Sequence, residues 1–211
     1  MYKGKIVLLI LAVSCGLIGC GQEDGPDISS VSVGQDGTIT HQIVGGFEQN
    51  YYEMEGLKAL AADRVAEYCA ENGQDSVKLE SVAEEDDKIL IHFTYATDRD
   101  YSSFNNRELF VGTVTEASAM GYTLEAVPFV STAGDATEVG FMEDYDKKKV
   151  VIIGTKPTEE LVVNTYGKVL YINRSMTDGM DVSFYGKKGV HITHPASEDS
   201  DEVVLTYIVF E

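Results

Sequence analysis

Apolar and polar residues alternate in short runs along much of this chain, the period of half-buried strands. Val31 and Val33, then Ile39, His41 and Ile43, alternate around Gly34-Gln35-Asp36-Gly37, which predicts a hairpin closed by a glycine-rich turn. His41 shares a face with two isoleucines, so it reads as a hydrogen-bonded core residue before it reads as a ligand. The period then changes. Met54, Leu57, Ala61, Val65, Tyr68 and Cys69 recur at spacings of three and four, with Lys58, Asp63, Glu67 and Glu71 largely off that stripe. Asn50 as N-cap, Glu53 three residues on and Asn72-Gly73 as the stop complete the prediction of one long amphipathic helix.

A second hairpin is predicted from Val77 to Val82 and from Ile89 through Ile91, Phe93 and Tyr95, joined by the acidic turn Glu84-Glu85-Asp86-Asp87. Thr113 and Glu116 spell a capping box for a short helix carrying Ala117 and Met120 and closed by Gly121. After Pro128 almost every run is strand-like: Val150–Ile153 and Val203–Phe210 are apolar on both faces, and Val169–Ile172, Val182–Tyr185 and Val190–Thr193 follow the same habit. The predicted class is α+β: mostly antiparallel sheet with one long N-terminal amphipathic helix and one or two short helices.

The first residues break this pattern. Met1–Lys5 carries only positive charge, and an uncharged run of thirteen residues follows from Ile6 to Ile18. A spanning helix needs about 20 apolar residues, so this run matches the apolar region of a signal peptide instead. It ends Leu17-Ile18-Gly19-Cys20, which resembles the lipobox of bacterial lipoproteins. The resemblance implies cleavage before Cys20 and a diacylglycerol on its sulfur. Two acyl chains hold a protein on a membrane stably, each buried CH₂ contributing about 0.8 kcal/mol. The expected organisation is a signal peptide over residues 1–19, a lipidated flexible tether over 20–30 and an extracytoplasmic domain over 31–211, with a possible subdivision near 131–140.

Charge narrows the partners. The chain carries 16 basic and 35 acidic residues, and loss of Lys3 and Lys5 with the signal peptide takes the net charge from −19 to −21. Such a domain is repelled by phosphate backbones, which excludes nucleic acid as a partner. Of the three cysteines, Cys15 leaves with the signal peptide and Cys20 is the lipid site. Cys69 alone remains, so no intrachain disulfide is expected, and its neighbours Glu67 and Glu71 disfavour a thiolate.

Catalytic motifs are wanting. There is no GxSxG, SxxK, GxGxxG or GxxxxGK[ST] pattern. The acidic turn at 84–87 lacks the alternate spacing and glycine of a calcium loop. His191 and His194 stand three apart, which on a strand sends the imidazoles to opposite faces. Thirty-five acids offer many carboxylate pairs, so pairing by itself has no specificity. No cofactor is expected, and whether a metal binds stays open. Tyr51, Tyr52 and Tyr101 flank loops, where tyrosine can serve as a binding platform.

The most distinctive stretch is Asp98-Arg99-Asp100-Tyr101-Ser102-Ser103-Phe104-Asn105-Asn106 followed by Leu109-Phe110-Val111-Gly112-Thr113-Val114. It resembles lipoproteins of Gram-positive anaerobes to which no activity is assigned. The resemblance extends weakly from the first hairpin to the last strand and implies an address and a fold without a chemistry. Asp98, Asp100, Tyr101, Asn105 and Asn106 are the candidate ligand-binding residues, weighed against plain turn and cap roles for the same aspartates and asparagines. The functional expectation is a membrane-anchored, non-catalytic envelope module that binds a protein or surface polymer, attached to the membrane through Cys20. The alternatives are a solute- or divalent-cation-binding lipoprotein and, third, an envelope hydrolase.

Overall fold

The computed structural model describes residues 27–46, 54–85, 87–132, 136–137, 144–156, 159–173, 181–193 and 203–211. The expected signal peptide, Cys20, Tyr51, Tyr52, the expected Asn50 cap with Glu53, and His194 lie outside these residues.

Among the described residues the chain is dominated by strand, which corrects the expected α+β balance. A seven-stranded sheet is formed by β1 (Ser29–Val33), β2 (Ile39–Gly46), β3 (Val77–Glu85), β4 (Lys88–Tyr95), β9 (Leu161–Asn164), β11 (Asp181–Tyr185) and β12 (Gly189–Thr193). A six-stranded sheet is formed by β5 (Leu109–Thr113), β6 (Phe129–Ser131), β7 (Ala136–Thr137), β8 (Lys149–Thr155), β10 (Val169–Asn173) and β13 (Val204–Phe210). Their orders are β11-β12-β9-β1-β2-β4-β3 and β5-β8-β13-β10-β6-β7. Neighbours pair antiparallel except β1 and β9, which run parallel with Val31 opposite Val163. Both sheets take strands from either side of residues 131–140. β1 begins at Ser29, so the last residues assigned to the tether are already in the sheet.

The helical expectation is corrected with it. Three helices stand among the described residues, α1 (Met54–Asn72), α2 (Asp98–Asn105) and α3 (Val114–Ala119), and none is a long N-terminal amphipathic helix. α1 is the long one, yet Ala61 is its one buried residue and Leu60 is 68% exposed. The reason is visible in its composition: Ala59, Leu60, Ala62, Ala66 and Ala70 spread apolar character around the faces opposite the stripe. The helix packs on β3 and reaches the core through Ala61 and the partly buried Val65, Tyr68 and Cys69, whose Sγ donates to the Val77 carbonyl at 3.2 Å.

Two apolar layers result. Val31, Ile39, Phe93, Tyr95, Val163 and Ile192 from the first sheet meet Val151, Ile153, Ile208 and Phe210 from the second. On the other face of the second sheet, Val150, Ile152 and Val209 lie under Val114 and Ala117 of α3 and under Leu124 in a 3₁₀ turn. Successive side chains of a strand point to opposite faces, so β8 serves both layers at once. α3 begins with the capping box, the Glu116 amide donating to Thr113 Oγ1 at 3.1 Å and the Thr113 amide to Glu116 Oε2 at 2.7 Å.

Removing a buried branched side chain leaves a cavity, and Ile153→Ala is expected to cost about 2–5 kcal/mol in urea unfolding. Leu60→Ala on α1 is expected to stay within about 0.5 kcal/mol. A Leu60 variant as costly as the Ile153 variant would mean that α1 buries a core face after all.

Candidate functional site

The distinctive stretch after β4 folds into α2 and the turn that follows it. Thr97 caps the helix, accepting from the Asp100 amide at 3.1 Å and donating from Oγ1 to Asp100 Oδ2 at 2.6 Å. Tyr68 of α1 also donates to Asp100, at 3.3 Å. Asp98 accepts from the Arg99 amide at 2.8 Å and from the Val111 amide at 2.7 Å. Ser102 Oγ accepts from the Leu109 amide and donates to the Leu109 carbonyl, both at 2.9 Å. Asp98 and Ser102 thereby satisfy the outer edge of β5, which would otherwise be free to pair with another chain. These roles account for both aspartates, and neither lines the two cavities described below.

Asn106 ends α2 in the left-handed region, at φ 49°, which asparagine tolerates better than most residues. That turn carries Asn105, Asn106 and Arg107 to the gap beside β8 and the segment before β9. There Arg107 Nη2 donates to Glu159 Oε1, forming a pair with side chains 22% and 27% exposed. Glu159 Oε2 accepts from the Lys156 amide at 3.0 Å. Nearby, Glu160 Oε1 lies 2.8 Å from His191 Nε2.

Two cavities meet at this pair. One, of about 440 Å³, is lined by Asp27, His41, Asn105, Arg107, Glu159 and Glu160, with an apolar wall of Ile28, Ile43, Val44 and Leu161. The other, of about 850 Å³, shares Asn105, Arg107 and Glu159 and adds Asn106, Glu108, Lys156 and Tyr122. Its rim includes Met120 and Val203, which are 72% and 50% exposed. Both volumes fall in the range of small-molecule sites, about 300–1,000 Å³.

Behind the first cavity runs a buried polar stack. His41 packs edge-on to Tyr101 at 5.3 Å, and Tyr101 packs edge-on to Tyr95 at 5.2 Å. The Tyr95 hydroxyl donates to Asn105 Oδ1 at 3.4 Å, while Asn105 Nδ2 donates to the Tyr101 carbonyl at 2.8 Å. His41 Nδ1 is buried with no hydrogen-bond partner. The Tyr101 hydroxyl lies beside the Arg107 guanidinium without an aligned hydrogen bond. Burial, reinforced by the Arg107 charge, pushes the His41 imidazole down to about 3, so it is neutral at ordinary pH. Burial pushes the Tyr101 hydroxyl up to about 12 and raises Tyr95 as well, keeping both protonated.

Of the candidate residues, Asn105 and Asn106 face the cavities, Tyr101 is fully buried behind them, and Asp98 and Asp100 are used in the fold. Sequence reading missed Arg107, Glu159 and Glu160. It placed His41 in the core, where it lies, but as a hydrogen-bonded residue, whereas Nδ1 has no partner. Arg107 had one available signal: it is one of four arginines in a strongly acidic chain and directly follows the Asn105-Asn106 pair. The histidine motif yields no metal set, since among the described residues no three or more His, Cys, Asp or Glu converge. The titratable groups of the junction are already engaged. Its carboxylates hold partners, its tyrosines keep their protons, and His41 Nδ1 is shut from solvent.

His41 makes stability pH-dependent. Its folded value lies below that of the unfolded chain, 6.5, so its contribution is complete above about pH 6.5 and is lost as pH falls toward 3. The loss approaches about 1.4 kcal/mol per pH unit within that window. His41→Leu is expected to gain on the wild type as urea unfolding is moved from neutral to acid pH. An unchanging gap would sink this reading of the buried imidazole.

Comparison of the whole chain with protein-family models, with curated proteins and with solved structures finds no match.

Proposed function

We propose that the chain is a membrane-anchored extracytoplasmic lipoprotein and that its domain is a non-catalytic binding module for an envelope component, held at the junction of the two cavities. The observation that carries the binding reading is the half-buried Arg107–Glu159 pair shared by both cavities. A buried pair is costly to assemble, since its desolvation offsets much of its attraction. Its use beside open cavities supports a role in recognition. No helix among the described residues is long and apolar enough to cross a membrane. Attachment rests on the lipobox-like Leu17-Ile18-Gly19-Cys20 and the basic, apolar segment before it.

Two experiments test the two halves. Cys20→Ser is expected to move the protein from the membrane fraction to the soluble fraction and to abolish labelling by a fatty-acid analogue; a variant that stays membrane-bound and labelled removes the anchor. Soluble fragments of the envelope polymer, at about 100 times their Kd, are expected to add about 2.7 kcal/mol to the full chain. That is several degrees in Tm. The shift is expected to vanish in Arg107→Met/Glu159→Met, where no charge is left unpaired; a shift that survives in this double variant places the ligand elsewhere.

A further inference from the structure

Most charges around the junction are matched internally. Arg107 pairs with Glu159 and Asp27 lies 2.6 Å from Lys88 Nζ, while Glu160 faces His191, which offsets its charge only when protonated. In the second cavity Arg107 and Lys156 balance Glu108 and Glu159, and Glu108 accepts from the Tyr122 hydroxyl. A charged ligand seated on the half-buried Arg107–Glu159 pair displaces one member and leaves the other without its counter-ion. An uncharged ligand does not.

Hydrogen-bonding capacity, by contrast, is in surplus. A guanidinium has five N–H donors; Arg107 places one on Glu159 and lies beside the Tyr101 hydroxyl, which leaves donors for a ligand. Asn105 gives one amide hydrogen to the Tyr101 carbonyl and keeps a second. The Glu159 oxygens keep lone pairs beyond those facing Arg107 and the Lys156 amide. Planar donors and acceptors lie side by side at the Arg107–Glu159 pair, whose own charges cancel. Adjacent hydroxyls match that arrangement, because each both donates and accepts. The apolar walls complete the match: Ile43 and Leu161 on one side, Met120, Val203 and Leu205 on the other, suit the C–H faces of saturated rings.

Taking the cavity junction as the binding site, as proposed above, we infer that its ligand is an uncharged saccharide of at least two residues, lying across the Arg107–Glu159 pair with one ring in each cavity. The pair is the bridge at the middle of the ligand. A single ring fills one cavity and forgoes the contacts of the other.

The test is calorimetric titration of the full chain, extracted in a non-glycosidic detergent, with cellobiose, the N-acetylglucosamine disaccharide and maltotriose. Glucose, N-acetylglucosamine, a dipeptide zwitterion and putrescine serve as comparisons. At least one neutral di- or trisaccharide is expected to bind at least tenfold more tightly than its monosaccharide, a difference of about 1.4 kcal/mol. That affinity is expected to be little changed between about 0.02 M and about 0.5 M salt, because no ion is exchanged. Arg107→Lys keeps the charge and loses the planar fork, and is expected to weaken binding at least tenfold. Glu159→Gln keeps hydrogen-bonding atoms and is expected to stay within threefold; both variants are checked for an unchanged Tm. Binding of the zwitterion or of putrescine, abolished by Glu159→Gln, overturns the saccharide assignment and leaves the site standing. Saccharide binding that Arg107→Lys does not weaken overturns the site together with the ligand. Heat from none of the saccharides overturns the assignment, and the Tm shift with envelope fragments then decides the site by itself.

Discussion

Val150, Val151, Ile152 and Ile153 are all fully buried, and four consecutive buried residues on one strand require cover on both faces of the sheet. The seven-stranded sheet covers Val151 and Ile153, while α3 and a 3₁₀ turn cover Val150 and Ile152. β13 obeys the same rule, with Ile208 and Phe210 on one side and Val209 on the other. Most of the architecture follows from this demand for two covers. The six-stranded sheet becomes the middle layer, and the elements around it are recruited according to the face they close.

A middle layer still has edges. β5 is an outer strand, and α2 closes it with two side chains, Asp98 and Ser102, that take up its backbone groups. This closure sets the position of everything downstream on α2. The helix can end only where Asn106 turns left-handed, and the turn then delivers Arg107 beside β8. The cavity junction is thus a by-product of sealing a sheet edge. Its guanidinium sits where the packed layers give way to cavities and where a charge needs a partner, which Glu159 supplies.

The same geometry explains the restrained chemistry of the site. His41 belongs by register to the inward face of β2, between Ile39 and Ile43, so it is desolvated before it can meet a ligand. Tyr95 and Tyr101 are held in the same way. Of the charged groups left at the surface of the cavities, Arg107 and Glu159 neutralise one another. Binding of an uncharged ligand by an acidic chain is consistent with that arrangement, since net charge is a property of the solvated surface and the Arg107–Glu159 pair keeps its own balance.

Much that is local was legible from residue order. The Gly34–Gly37 turn, the Thr113–Glu116 capping box and the two-faced strands each depend on neighbours a few residues apart, and each is present. The long helix was legible as a helix and misread as a core-facing one, because periodicity counts the apolar residues on one stripe and ignores the alanines around it. The balance of strand over helix, the parallel pairing of β1 with β9, and the meeting of Arg107 with Glu159 across 52 residues were decided by tertiary structure alone. The physical reason is that a side chain's period records which face it prefers, whereas its partner depends on which distant segment arrives at that face. Asp98 shows the difference in one residue: a local backbone-bonding role was read from the sequence, while its place at the start of α2 and its bond to the edge of β5 were not.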